Sequence, residues 1–176
     1  GWTQYRRGRL GDALASLQKA FGLRADPEIA AHLGEVLWML GRRDEAVREV
    51  LPAVLSRARR LTLDADALNA ISDDASLQVL LRSRAQRHPG STAITPHPLE
   101  AARLLHTTSA QVQAHRLMAA RELAKKFQCT VVLKGSGTVI AHRDDIPHIN
   151  PTGNGRLATA GTGDVLAGLI GAGLWL

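Results

Sequence analysis

Four short apolar runs constrain this chain most. They lie at Leu61–Leu63, residues 91–95, Thr130–Leu133 and Val139–Ala141, and the first three are separated by stretches with helical spacing. Helices are predicted over residues 75–86, 99–105 and 109–127, the last started by Thr108 with Gln111 three positions on, a capping-box pattern. A further apolar run, residues 165–176, reads as a closing helix. Strands alternating with helices imply an α/β layer whose sheet is largely parallel. In such sheets ligands gather at the C-terminal ends of the strands. Each strand end here carries polar chemistry: Asp64 and Asp66, then His97 and Glu100, then Lys134, then a loop leading to Asp164. Asp64 directly ends its strand and is expected to face the cleft, whereas Asp66 reads as a helix cap.

Residues 150–165, NPTGNGRLATAGTGDV, gather small residues around one carboxylate, Asp164. Gly161 and Gly163 leave the backbone free to turn N–H groups toward one point, and the following helix adds the positive end of its dipole there. An anion suits that point. A carboxylate beside it is costly unless it handles a proton or a metal next to a phosphate. Alone, the motif reads more readily as an ordinary loop with an Asp cap. Its companion upstream is Lys134-Gly135-Ser136-Gly137-Thr138, where glycines permit close backbone approach and the lysine supplies a point charge, without the spacing of a P-loop. His97 sits between two prolines in a stiff turn with Glu100 at the helix start, which points to a ligand contact. His32, His88, His106, His115, His142 and His148 read as surface residues, and no zinc or iron spacing is present.

The formal charge is +6 with a sequence pI near 10.4, but Arg and Lys are scattered and interleaved with Asp and Glu. Small phosphorylated ligands fit this surplus better than nucleic acid, because no basic tract with interleaved aromatics occurs. No run approaches the roughly 20 apolar residues of a membrane span, and no charged-then-apolar leader is seen, so the default expectation is a cytoplasmic protein. Cys129 is expected to be a buried, inert thiol. The abrupt start at Gly1 and the stop inside an apolar run at Leu176 suggest that both ends are cut.

Residues 1–50 have another pattern. Gly8-Arg9-Leu10-Gly11-Asp12-Ala13-Leu14 is echoed by Gly41-Arg42-Arg43-Asp44-Glu45-Ala46-Val47, an offset of 33 residues (41 − 8). That is close to the period of about 34 of a two-helix repeat. Ala13, Leu17 and Ala20 mark one helix; Asp26-Pro27 opens the next, along which Leu33, Leu37 and Leu40 recur, with Gly34 permitting close contact. Val47, Val50, Leu51, Val54 and Leu55 continue a helical stripe. The segment resembles the tetratricopeptide repeat family over about one and a half repeats.

DADALN at 64–69, TPHPLEAARLL at 95–105, VVLKGSGTVIA at 131–141, and NPTGN with ATAGTGDVLAGLIGA at 150–172 together resemble the C-terminal half of the ADP/ATP-dependent NAD(P)H-hydrate dehydratase family, in the ribokinase-like superfamily. KG-GT and GTGD are shared across that superfamily; DADALN, TPHP-E and the NPTGN lead-in point to the dehydratase branch. The resemblance implies a partial ribokinase-like layered α/β sheet over residues 51–176, preceded by the helical repeat-like segment 1–50. It implies repair of hydrated NADH or NADPH with ADP or ATP as co-substrate and Mg²⁺ accompanying the nucleotide. Asp164 would be the catalytic base. Lys134, Gly135, Ser136, Gly137, Thr138, Gly161, Thr162 and Gly163 would hold the nucleotide, the amides of residues 160–163 stabilising the transferring phosphoryl group. His97, Glu100, Asn154 and Asp164 would contact the hydrated nicotinamide substrate, with no metal held by protein side chains alone. The sequence departs from the family at Leu99, where glycine is usual, and at Gly155-Arg156, where Pro-Gly is usual. The family's N-terminal half is not matched; the expectation is an exposed sheet edge, which assembly as a homo-oligomer would cover. The alternative reading is an interaction module that binds a protein partner through residues 1–50 and carries an inert dehydratase remnant. A kinase of the same superfamily acting on a small alcohol ranks below both.

Overall fold

The computed structural model describes residues 1–157 and 159–174, and the chain divides into two compact units, Gly1–Ala58 and Arg59–Leu176. The expected pattern change at residue 50 falls inside a helix, α4 (Arg43–Arg57), which runs to the end of the first unit. Among the described residues, no helix is long and apolar enough to cross a membrane.

In the first unit α4 is preceded by α1 (Trp2–Arg6), α2 (Leu10–Leu23) and α3 (Pro27–Met39). Asp26 caps α3 by accepting from the Glu28 N–H at 2.9 Å, and Arg24, at 2.6 Å, holds its carboxyl below the usual range. The sequence echo at 33 residues is a geometric one. The N–H groups of Gly8 and Arg9 donate to the carbonyls of Tyr5 and Gln4, and those of Gly41 and Arg42 donate to Trp38 and Leu37. Both turns are Schellman motifs closed by a glycine at positive φ, +72° and +75°. Arg9–Asp12 and Arg42–Glu45 then form matching ion pairs, each 2.5 Å, one helical turn apart. The apolar side chains Leu14, Leu17, Leu33, Val36 and Leu37 form a core with the small Ala13 and Ala46. Leu40, read as part of the α3 stripe, lies beyond the helix and is exposed. His32, read as a surface residue, stacks its ring on Trp2 at 4.1 Å.

The second unit is the α/β layer. Its elements in order are β1 (Leu61–Leu63), α5 (Asp66–Asp73), α6 (Ala75–Arg87), β2 (Thr92–Ile94), α7 (Pro98–Leu105), α8 (Ser109–Ala114), α9 (Arg116–Phe127), β3 (Thr130–Leu133), β4 (Val139–Ala141), β5 (His148–Ile149) and α10 (Thr162–Gly173). The sheet order follows the chain, β1-β2-β3-β4-β5. β1, β2 and β3 are parallel, joined by helical crossovers; β4 and β5 add antiparallel edges through short turns. Register places Leu63 beside Ile94 and Ile94 beside Val131.

Three local expectations change. The helix predicted over 109–127 is two helices, broken at His115, whose φ of −132° and ψ of 49° leave the helical region. Asp66 is the first residue of α5, not its cap; Ala65 occupies the cap position at φ +50° without a side-chain bond. The closing helix begins earlier than expected, at Thr162, and Trp175, Leu176 and Ala158 of the ATAGTGD motif lie outside the described residues. The β5 strand is too short, at two residues, to leave a period-2 signal.

α9 supplies the inner face of the layer: Ala119, Ala120, Leu123, Ala124 and Phe127 are buried where it packs on β3 and β4. Phe127 is fully buried, so Phe127→Ala is expected to cost about 3–5 kcal/mol of stability. Urea unfolding of both chains checks this, and a loss of less than about 1 kcal/mol would show that the packing is not as described. Cys129 is buried beside it, and burial pushes its thiol up from 9.0 to about 12. Above pH 9.0 the unfolded chain ionises this thiol while the folded chain does not, so its contribution to stability is lost as pH rises toward about 12. Cys129→Ala should therefore flatten the fall in urea midpoint between those pH values; an identical fall in both chains would refute the assignment.

Candidate active site

The three parallel strands deliver their following residues to one edge of the sheet. Backbone bonds carry the strand pairing beyond the strands: the Thr95 N–H donates to the Leu63 carbonyl at 3.0 Å, and the Lys134 N–H to the Pro96 carbonyl at 2.8 Å. The loops after β1, β2 and β3 are thus tied side by side. Lys134 Nζ donates to Asp64 Oδ1 at 2.5 Å, with side chains only 19% and 13% exposed. An ion pair this sheltered holds both groups in place, since removing either leaves the other charged and poorly solvated.

The first turn of α10 stands over this pair. A Cβ built at Gly163 would lie 3.7 Å from both Asp64 Oδ2 and Lys134 Nζ. The turn is opened by Gly161 at φ +83°, and Thr162 Oγ1 donates to the Thr159 carbonyl at 2.8 Å. Asp164 follows in the first turn, exposed, beside helix N–H groups that favour negative charge. The structure therefore brings together Asp64, Lys134 and the Gly161-Thr162-Gly163-Asp164 turn.

The residues of the 134–138 loop form a tight turn between β3 and β4. Gly137 takes φ +65°, and Thr138 Oγ1 donates to the Gly135 carbonyl at 3.0 Å. The Asn150 N–H donates to the Thr138 carbonyl at 2.8 Å, joining the start of the NPTGN segment to this loop. One residue that the sequence reading did not single out holds the loop from below. Arg116, the first residue of α9, donates from Nη2 to the carbonyls of Leu133, Lys134 and Gly137 at 3.1, 3.4 and 3.3 Å. Desolvation pushes the guanidinium below its ordinary pKa. No sequence signal marked it, because residues 109–127 carry one continuous helical pattern across the break at His115.

His97 ends the loop after β2 as the N-cap of α7. Its Nδ1 accepts from the N–H groups of Leu99 and Glu100 at 3.1 and 3.3 Å, while Glu100 Oε2 accepts from the His97 N–H at 2.7 Å. Nδ1 as acceptor places the ring proton on Nε2, which lies 3.2 Å from Glu100 Oε1. Glu100 is buried by this reciprocal box, whereas the His97 side chain remains 45% exposed and can still meet a ligand. Leu99 is exposed on α7. Asn154 is not joined to these groups: its Oδ1 accepts from the Arg156 N–H at 3.0 Å, shaping the short turn Gly155–Leu157, and among the described residues it makes no hydrogen bond to His97, Glu100 or Asp164.

Among the described residues, no group of three or more His, Cys, Asp or Glu could hold a metal ion. A concavity of about 600 Å³ lies in the first unit, lined by Gln18, Asp44, Glu45, Arg48 and Glu49. None of the strand-end residues lines it.

A mixed sheet whose first three strands are parallel, with a lysine-glycine loop at one strand end and a Gly-Thr-Gly-Asp helix start beside it, is the arrangement of a ribokinase-like α/β protein. The chain belongs to the NAD(P)H-hydrate dehydratase family, which residues 38–175 match. It is 51% identical over 112 residues to an ADP-dependent (S)-NAD(P)H-hydrate dehydratase of Neisseria meningitidis, covering 64% of this chain and 36% of that protein. It is 48% identical over 126 residues to the bifunctional NAD(P)H-hydrate repair enzyme Nnr of Moorella thermoacetica, covering 72% of this chain and 22% of that one. Among solved structures, the ADP/ATP-dependent NAD(P)H-hydrate dehydratase of Bacillus subtilis, co-crystallized with ATP/Mg²⁺, superposes with a TM-score of 0.59 at 35% identity, over 74% of this chain and 43% of that chain. This chain thus spans about a third of the first relative and less than half of the solved neighbour.

The cap on α7 gives a stability test separate from any ligand role. His97→Ala removes the acceptor for two N–H groups and should cost about 1 kcal/mol, whereas His97→Asn restores a cap and should cost little. Thermal unfolding of the two variants decides it; equal losses would mean that the imidazole is not acting as the cap.

Proposed function

We propose that this chain carries the nucleotide-side half of an NAD(P)H-hydrate dehydratase site, in which ADP or ATP drives the loss of water from hydrated NADH or NADPH. The observation that carries the reading is the first turn of α10, with Gly163 beside both Lys134 Nζ and Asp64 Oδ2 at the edge where the parallel strands end. The names of the Neisseria and Bacillus relatives support the same reaction and the same nucleotides.

Lys134 offers a cation, and the backbone of Gly135, Ser136, Gly137 and Thr138 offers donors, to the phosphates; Gly161, Thr162 and Gly163 face the group being transferred. Asp164 takes the proton of the ring hydroxyl. The hydroxyl oxygen forms a bond to the terminal phosphorus as the phosphorus–oxygen bond to the rest of the nucleotide breaks. Phosphate then leaves the ring carbon, and loss of a proton from the adjacent carbon restores the double bond. His97, oriented by Glu100, and Asn154 contact the nicotinamide end. The donor set suits Mg²⁺ that arrives with the nucleotide: Asp164 is an exposed carboxylate, and such ions are held by one or two carboxylates plus substrate phosphates. When bound, Mg²⁺ supplies charge neutralisation on the phosphates. The duplicated turn at Gly8 and Gly41 supports reading the first unit as tetratricopeptide-like helical pairs.

Thermal unfolding with and without ADP, ATP and Mg²⁺ tests the reading, because a ligand that binds only the folded state must raise the midpoint. Lys134→Ala should abolish the upward shift. Asp164→Asn should keep the shift while turnover of hydrated NADPH falls by at least about a hundredfold, the usual weight of a positioned base. Turnover that survives Asp164→Asn at the original rate would remove Asp164 from the mechanism.

A further inference from the structure

The 134–138 loop is shaped by a residue 18 positions upstream of its lysine (134 − 116), through the guanidinium of Arg116. In a trans peptide the C=O of one residue and the N–H of the next lie in one plane and point opposite ways. Holding the carbonyls of Lys134 and Gly137 toward Arg116 therefore turns the N–H groups of Gly135 and Thr138 away from it. Among the described residues, neither N–H meets a protein acceptor. The third carbonyl obeys the same rule with its partner visible: Leu133 C=O faces Arg116, and the Lys134 N–H on the opposite side donates to Pro96.

The fit is close. A Cβ at Gly135 would stand 2.9 Å from Nη1, so the loop's first glycine is needed to let the guanidinium in. Gln113 Oε1 accepts from Nη1 at 2.8 Å and fixes the fork from the other side, while Nε is buried with no partner among the described residues. The break at His115 is what brings Arg116 to this place, as the first residue of a new helix. A buried polar atom and a broken helix both cost stability, and both serve the same contact.

We infer that Arg116 is a positioning residue for nucleotide binding: its guanidinium holds the carbonyls of Leu133, Lys134 and Gly137 on one side so that the Gly135 and Thr138 N–H groups stand free on the other. The inference rests on the nucleotide reading of the loop given above. Arg116→Ala should weaken ADP and ATP binding about tenfold or more and raise the nucleotide KM, with kcat changed less than about threefold, because donors are misplaced while Asp164 is untouched. Arg116→Lys keeps a cation with N–H donors and should recover part of the loss.

The experiment is ¹⁵N relaxation on the full chain without nucleotide, followed by titration with ADP and with ATP. Order parameters for residues 135–138 are expected near 0.85 in the parent chain and below about 0.6 in Arg116→Ala. Unchanged order parameters with unchanged nucleotide affinity would overturn the inference. If the parent chain binds neither nucleotide, the functional reading fails on that result, and the order parameters still decide whether Arg116 shapes the loop. Should the alanine variant fail to fold, Arg116→Lys carries the same comparison.

Discussion

The parallel pairing of β1, β2 and β3 is the constraint on which the rest of the second unit depends. Parallel neighbours cannot be joined by a tight turn, so each needs a helical crossover, and each crossover must start from the same edge. The residues following the strands are thereby forced together: Asp64, the Thr95-Pro96-His97 turn and Lys134. The two backbone bonds beyond the strands, Thr95 to Leu63 and Lys134 to Pro96, show that this edge is built as one ladder and not as three independent loops. The antiparallel β4 then returns from that edge through the 134–138 loop, in which Gly137 takes φ +65°.

Much of this was legible in the sequence. The apolar runs gave the β1, β2, β3 and β4 strands, and the capping pair Thr108 and Gln111 is present as expected. The duplicated Gly-Arg turn in the first unit was legible because a left-handed C-cap needs glycine and the following ion pair has fixed spacing. What escaped was tertiary. Residues 109–127 carry a helical pattern throughout, yet the helix breaks at His115 and Arg116 opens the next one with its guanidinium on the Leu133, Lys134 and Gly137 carbonyls. Asp66 resembles a cap by type, yet Ala65 at positive φ takes the N-cap position of α5, a choice that side-chain preference does not reveal.

His97 shows how two readings of one residue can coexist. A stiff Pro-His-Pro turn suggested a ligand contact, whereas the imidazole is the cap of α7 and Glu100 closes the box around it. A side chain whose Nδ1 is already engaged by two backbone donors is fixed in one tautomer and one orientation. Fixation of that kind is what a binding group requires, because its ordering cost has been met in folding and need not be met again on association. The cap and a contact role are compatible while the outer face of the ring stays open.

The two cations at this edge illustrate why lysine and arginine are not exchangeable. Lys134 ends in a compact ammonium with three donors; Asp64 Oδ1 takes one, leaving others able to turn toward a second anion. Arg116 ends in a planar fork, and its Nη2 lies within reach of three carbonyls while Nη1 bonds Gln113. Exchanging their types would put a rigid fork where a charge has to pivot and a pivoting charge where a loop has to be held. The Asp64 partner has a further consequence: it balances the lysine at close range, so the charge at this edge is set by the pair together with the N–H groups of the α10 N-terminus that stand beside it.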